Sequence, residues 1–214
     1  MREYFKSDAR CLDLGIQFPH LEMLEEARSL RDRYVLHRSD DSKGWQSLVI
    51  HGMGANKTGS WQGYGIKDAK QASEMVQWTE ISELCPVTTD YFKNQFPCEK
   101  YGRVRFMLLE AGGYIDFHKD SRIPIVDNIS FVLNYPKGCE WKWEDGHPGI
   151  DFIPGHAYAL NIYYAHGIWN NSDEDRYFII AARHDSTQEW KTLMTNAANS
   201  QGISGEFITV DSLP

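Results

Sequence analysis

Between Arg103 and Arg183 the sequence falls into short runs of alternating polarity, each closed by turn-forming residues. Val104, Phe106 and Leu108 alternate with Arg103, Arg105 and Met107, and Ala111-Gly112-Gly113 reads as the turn that ends the run. Further strands are predicted over Tyr114 to Asp120, Asn128 to Tyr135, Cys139 to Glu144, Ile150 to Ile153, His156 to Ile162, Tyr163 to Trp169 and Arg176 to Arg183. Pro136-Lys137-Gly138 and Asp145-Gly146 supply turns between them. Roughly eight short strands at a spacing of about 8–12 residues point to a β-sandwich or barrel. No helical periodicity separates them, which excludes a parallel α/β sheet, whose crossovers need helices.

The rest of the chain reads as support. Leu21, Leu24, Ala27, Leu30 and Tyr34 recur at three- and four-residue steps and predict a helix from about Pro19 to His37, ended by Asp40, Asp41 and Gly44. A shorter helix is predicted after Pro86, with Thr88 or Thr89 near its cap and Tyr91 and Phe92 facing inward. Trp45 to His51 reads as a strand, and Lys57 to Lys67 as a surface loop or irregular hairpin. Gln188 to Ala198 suggests a helix, and Phe207 to Val210 a final strand or a lid.

A net charge of −8 argues against a nucleic-acid partner, which selects for a basic stripe, and against an anionic membrane surface. No run approaches the length of a membrane span, and the first residues hold no apolar stretch of signal-peptide type. The four cysteines, Cys11, Cys85, Cys98 and Cys139, are scattered and form no C-x-x-C pair. This is the usage of reduced thiols, and a cytoplasmic protein is expected.

Chemistry concentrates in three places. His118 and Asp120 lie two apart on a predicted strand, so both side chains share the face of Tyr114 and Asp116, with Ile115 and Phe117 turned away. An imidazole and a carboxylate so placed can converge on one divalent cation. His166, in Tyr164-Ala165-His166-Gly167-Ile168-Trp169, is the best third donor. If the polar turn Asn170 to Asp175 closes a hairpin about Asn171, His166 stands opposite Arg176 and both enter one cavity. A guanidinium buried there needs an anion, which a carboxylate-bearing co-substrate would supply. Two histidines and one carboxylate with open positions form the signature of non-haem iron(II) oxygenases.

At these residues the chain resembles a known family. The runs RVRFMLLEAGGYIDFHKD, NISFVLNYPKGCEWKW and HGIWNNSDEDRYFIIAAR are similar to the iron(II)- and 2-oxoglutarate-dependent oxygenases, and most to the aspartyl/asparaginyl β-hydroxylase-like branch. The resemblance spans roughly Arg103 to Arg183, and more weakly reaches back to Trp45. It implies a mainly β fold, a double-stranded β-helix (jelly roll) with flanking α-helices. It implies one structural domain, in which residues 1–100 support a catalytic core over 101–185 and residues 186–214 form an extension or lid. It implies Fe(II) held by His118, Asp120 and His166, with 2-oxoglutarate and O2 as co-substrates. Arg176 is implied as the partner of the far carboxylate of 2-oxoglutarate. Members of this branch that lack a carboxylate ligand often place an Arg on the strand after the first histidine. This chain keeps Asp120 and offers Asn128 and Ser130 there, with Arg122 as an alternative nearer the turn.

The reaction so implied is hydroxylation of an amino acid or a peptide side chain, with the oligomeric state left open. Two other readings share the barrel. A cupin-like metalloenzyme keeps the three donors but has no need of Arg176, and a metal-free jelly-roll binding module needs neither. The remaining histidines, His20, His37, His51, His147, His156 and His184, read as structural or surface groups, and Trp141 and Trp143 as cover for a sheet face. Asp173 to Asp175 reads as a solvated turn.

Overall fold

The computed structural model describes residues 3–37, 41–59 and 61–209. In chain order its elements are β1 (Glu3–Lys6), β2 (Cys11–Gln17), α1 (His20–Ser29), β3 (Val35–Leu36), β4 (Ser42–Gly52), α2 (Ala69–Glu74), β5 (Gln77–Trp78), α3 (Pro86–Asp90) and β6 (Tyr101–His118). There follow β7 (Asn128–Val132), β8 (Cys139–Trp143), β9 (His156–Leu160), β10 (His166–Asn170), β11 (Arg176–Arg183), α4 (Gln188–Ser200) and β12 (Glu206–Thr209).

The main sheet is antiparallel throughout, in the order β2-β9-β7-β11-β6-β10-β8, with β4 along the other edge of β6. Its organising element is β6. Residues 101–109 pair with β11 and residues 114–118 pair with β10, so one strand serves two sheets. Between them the ladder to β4 jumps from Lys43↔Tyr114 to Trp45↔Leu109, and residues 110–113 bulge out. Here the predicted turn at Ala111-Gly112-Gly113 becomes a corner within a single strand. Gly112 has φ +69°, and a Cβ on Gly113 would sit 2.7 Å from the Lys43 carbonyl, so glycine lets the strand bend where a side chain would not. The result is a jelly roll: a larger sheet of β2, β9, β7, β11 and the first half of β6 faces a smaller one of β8, β10 and the second half of β6.

Alternation along the strands sorts two apolar layers. Trp45, Met107, Leu109, Ile115, Trp141, Ile168 and Phe178 fill the space between the sheets. Val104, Phe106, Leu108, Phe131 and Ile179 point the other way and pack under α1, α3 and α4. The first helix is shorter than its periodicity predicts. It ends at Ser29, Arg31–Arg33 forms one 3-10 turn, and Val35–Leu36 pairs with Gln46 and Ser47. Arg31 explains the break: its guanidinium donates to Asp175 (3.1 Å), Glu110 (2.7 Å) and Gln46 (3.1 Å), and a continued helix would carry it away from all three. Asp175 is therefore part of a clamp rather than of a solvated turn. Asp40 and Val210, which figured in the expected ends of the first helix and the last strand, lie outside the described residues.

After Pro86 the helix runs into a π-helical turn at Tyr91–Gln95 with Tyr91 and Phe92 buried, and its N-cap is Cys85 rather than a threonine. Lys57 to Lys67 holds a 3-10 turn at Trp61–Tyr64 in place of a hairpin. Ile150 to Ile153 forms no strand, and the strand expected from Tyr163 begins only at His166. At the far end α4 is capped by Thr187, whose hydroxyl accepts from Trp190 N–H (3.1 Å), and β12 pairs with β1.

Candidate metal centre

His118 ends β6 and His166 begins β10, and the antiparallel register sets them directly opposite each other. Their ring centroids are 4.5 Å apart. The expected alternation does not survive this pairing. From Ile168↔Ile115 to His166↔His118, β10 takes two steps while β6 takes three, so Asp116 and Phe117 share a bulge. The extra residue turns both Ile115 and His118 inward. It leaves Tyr114 outside, and Phe117 packs against Trp169 at 5.1 Å.

Each imidazole is oriented by its own backbone. His118 Nδ1 lies 2.8 Å from the Asp116 carbonyl, and His166 Nδ1 lies 3.0 Å from the Tyr164 carbonyl. A carbonyl oxygen only accepts, so Nδ1 carries the proton in both rings and Nε2 is the lone-pair nitrogen. Trp141 stacks flat on the His166 ring at 4.8 Å and 6°, and fixes its plane. Asp120 follows β6 on a short loop whose N–H groups at 120 and 121 donate to the Ile162 carbonyl. Its Oδ2 is 3.3 Å from His118 Nε2. One donor atom from each of His118, Asp120 and His166 falls within 4.8 Å of the others. Two imidazole nitrogens and one carboxylate oxygen, with the outer ring nitrogens already committed, form a donor set suited to a divalent first-row metal.

The same cavity holds Arg176, but not by the expected hairpin. β10 and β11 do not pair. Both leave the same edge of β6, and Arg176 stands opposite Leu109, not His166. The turn between them is held by Asn170, fully buried, whose amide donates to the carbonyls of Leu109, Glu110 and Glu174 at 2.8–3.1 Å. Its Oδ1 accepts from Ser172 Oγ at 2.6 Å. Arg176 is 6% exposed, lies over the Phe178 ring at 3.6 Å, and has no carboxylate in ion-pair range among the described residues. Its Nε is buried without a hydrogen-bond partner, and burial pushes its pKa down to about 10. The group remains a cation near neutral pH, and a buried cation without a counter-charge marks a place for an anion.

Asn128 and Ser130 line the cavity from β7, with Ser130 Oγ donating to Asn128 Oδ1 at 3.2 Å. Arg122 is exposed and absent from the lining. Trp141 is part of the wall, which its reading as sheet cover missed. The alternation of β8 already turned it inward, but nothing local marked what it would face. Trp141 Nε1 and Trp143 Nε1 are both buried without a hydrogen-bond partner. Of the remaining histidines, His156 bonds Asp13 Oδ2 at 2.9 Å. A more capacious groove, about 400 Å³, lies beside His51, Trp78 and Tyr101. The trio of potential metal ligands His118, Asp120 and His166 lines the smaller cavity.

A family model described as aspartyl/asparaginyl beta-hydroxylase matches residues 20–194. No curated protein matches the chain's sequence. Among solved structures, the chain is similar to a Pseudomonas putida prolyl-4-hydroxylase at 14% identity and a TM-score of 0.43, covering 79% of this chain and 89% of that one. An oxidoreductase of the 2OG-Fe(II) oxygenase family from Burkholderia pseudomallei gives 15% identity and a TM-score of 0.45, covering 77% and 80%. A viral collagen prolyl hydroxylase from Paramecium Bursaria Chlorella virus-1, in its 2OG complex, gives 12% and 0.42, covering 84% and 96%.

Proposed function

The chain belongs to the aspartyl/asparaginyl β-hydroxylase family, and from that premise we propose that it hydroxylates an amino-acid or peptide side chain with Fe(II) and 2-oxoglutarate. His118, Asp120 and His166 are the proposed iron ligands, and Arg176 the proposed anchor of the co-substrate's far carboxylate. One observation carries the reading. Three donors of the right type cluster at one part of a cavity whose wall also holds a buried guanidinium with no carboxylate partner. The donor set fits Fe(II), and the unsatisfied cation fits a carboxylate.

Iron(II) with 2-oxoglutarate and O2 supplies the oxidising power to place a hydroxyl on an unactivated carbon, with succinate and CO2 as by-products. The protein's own part is orientation and exclusion of water. The Asp116 and Tyr164 carbonyls hold both imidazoles in the tautomer that presents Nε2. Trp141 keeps His166 from rotating. Arg176 selects an acid and fixes which end of it points inward, since no other buried cation lines that wall among the described residues. Asn128 and Ser130 offer polar contacts for the near end of the same molecule. Met107, Ile115, Ile168 and Phe178 keep the space dry, which strengthens each charged contact.

The substrate is proposed to be a small molecule or peptide. No helix among the described residues is long and apolar enough to cross a membrane. The four cysteines are free thiols, and the cytoplasm is the proposed compartment. A buried Arg176 favours this reading over a cupin-like metalloenzyme, which has no use for it. Anaerobic addition of Fe(II) and then 2-oxoglutarate tests the proposal. A weak visible charge-transfer band is expected in the wild type and not in Arg176→Ala, which still binds metal. Full 2-oxoglutarate binding by Arg176→Ala would remove the anchor from the account.

A further inference from the structure

We propose that the groove of about 400 Å³ beside His51, Trp78 and Tyr101 is a second binding site, separate from the metal cavity, for a planar aromatic molecule that carries an anionic group. The two hollows share no lining residue. The groove lies where the end of β4, β5 and the start of β6 come together. Antiparallel pairing sets His51 against Trp78 on one side and Val104 on the other. The volume is in the range of small-molecule sites.

The wall is aromatic. Trp78 meets the His51 ring edge-on at 4.9 Å and the Tyr101 ring at 6.2 Å. Tyr101 is fixed by its hydroxyl, which donates to the Phe92 carbonyl at 2.8 Å. Trp78 itself is only half-buried, so part of the indole stays open to a further flat ring. His51 is 8% exposed, yet its Nδ1 has no hydrogen-bond partner. A buried polar atom left unpaired is uncommon, and it puts an unmet demand for a polar partner into this wall.

The rim is cationic in a chain of net charge −8. Lys93, Lys100 and His184 line the groove against a single carboxylate, that of Glu99. Neither lysine has a carboxylate in ion-pair range among the described residues. Asp185 does not answer them. Its Oδ2 already accepts from the N–H groups of Glu99 (2.7 Å) and Lys100 (2.8 Å), and its Oδ1 from Cys98 Sγ (3.2 Å). Local structure holds two of the cationic side chains in place. The Lys93 ammonium sits over the Trp78 ring at 4.9 Å. It leaves from the π-helical turn Tyr91–Gln95, a rare geometry frequent at functional sites. The His184 ring lies across Gly102, where a Cβ would come within 2.4 Å of Nε2, so only glycine admits it. The charges of His184 and Lys93 both reach His51 and, with burial, lower its pKa to about 4. The imidazole is therefore neutral, and the cations are left for another anion. Aromatic rings and cations around one groove suit an anion joined to a flat apolar body. Its ring rests on Trp78 and Tyr101 while its carboxylate or phosphate meets the lysines.

NMR on the full chain tests the site, with the Trp78 indole N–H assigned by its loss in Trp78→Phe. The probes are 2-naphthoate, 2-naphthyl phosphate, the neutral 2-naphthamide and the saturated decalin-2-carboxylate. At least one of the two aromatic anions is expected to shift the Trp78 signal on titration, and which one does so names the anionic group. The amide should bind about tenfold more weakly, and the saturated acid at least about threefold more weakly. Both lysines are exposed, so Lys93→Gln/Lys100→Gln should fold normally and weaken the aromatic anions about tenfold. Lys93→Arg/Lys100→Arg should keep the affinity within about twofold, and Arg176→Ala should leave the titration unchanged. A Trp78 signal unmoved by either aromatic anion would overturn the proposal. So would equal binding by the amide or by the saturated acid, or a titration untouched by the double glutamine variant. A titration lost in Arg176→Ala would put the probe in the metal cavity and overturn it as well.

Discussion

Replacing Arg176 by Met is expected to make the ligand-free protein more stable and the liganded protein less so. The guanidinium is buried with its Nε unsatisfied, and its pKa falls to about 10. That displacement amounts to about 3 kcal/mol against the charged form. The sign follows from linkage. A cation whose folded pKa lies below its unfolded value destabilises the fold at every pH below the folded pKa, so the penalty is fully present at pH 7. Stacking on Phe178 at 3.6 Å returns about 1–2 kcal/mol of it. Methionine keeps much of the volume and brings no charge, so Arg176→Met should stabilise by about 1–2 kcal/mol. In a chain of this length that is a rise in Tm of about 3–6 °C. Saturating 2-oxoglutarate, with Mn(II) as a redox-silent stand-in, should then stabilise the wild type by about 3 kcal/mol at a hundredfold excess over Kd and the variant by almost nothing. Differential scanning fluorimetry with and without the ligand reads both effects, and the order of the two proteins should reverse. A variant that melts lower without ligand, or gains as much from 2-oxoglutarate as the wild type, would refute the argument that Arg176 is held for an anion.

Three further outcomes follow from particular contacts. Asn170→Ala leaves three carbonyls without their buried donor and should lose about 3 kcal/mol in urea unfolding, and Asn170→Asp more, because its carboxylate would face the same oxygens; a loss below about 1 kcal/mol would deny Asn170 its part in shaping the turn before Arg176. Trp141→Phe removes an indole N–H that has no partner while keeping an aromatic face on His166, so stability should change by less than about 1 kcal/mol. The same variant should lose most of the fluorescence response to metal and 2-oxoglutarate, and an unchanged response would move the binding event away from this wall. Burial and the neighbouring Lys93 and His184 lower the pKa of His51 to about 4, so the unfolded chain binds the extra proton first. Stability should therefore fall as pH drops from about 6.5 toward 4, by on the order of 3 kcal/mol, and His51→Phe should flatten that slope.

What the sequence made legible was local. Alternation from Val104 to Leu108 and from Cys139 to Trp143 needs only neighbours along the chain, and those strands lie where the pattern puts them. Gln188 to Ala198 likewise sits inside a helix that Thr187 caps. The errors are non-local. Ala111-Gly112-Gly113 has the composition of a reversal, yet the chain runs on, because Lys43 and Trp45 of another strand pair on both sides of the bulge. A hairpin between β10 and β11 looks natural from the polar run Asn170 to Asp175. The edge of β6 is long enough to take both strands, and each pairs there instead. The bulge at Asp116 and Phe117 brings Ile115 and His118 to the same inner side and leaves both bulge residues exposed, and no residue in it announces an extra step. His118, His166 and Arg176 still meet in one cavity, because the jelly roll turns the inner faces of both sheets toward each other.

One metal ion is proposed to be held by two imidazoles and one carboxylate drawn from β6, the loop after it, and β10. X-ray absorption of the chain loaded anaerobically with one equivalent of Fe(II) counts imidazole ligands directly. Two are expected in the wild type and one in His166→Ala, with tight binding lost in the double variant His118→Ala/His166→Ala. An iron shell of oxygen donors alone, or an imidazole count unmoved by His166→Ala, would contradict it.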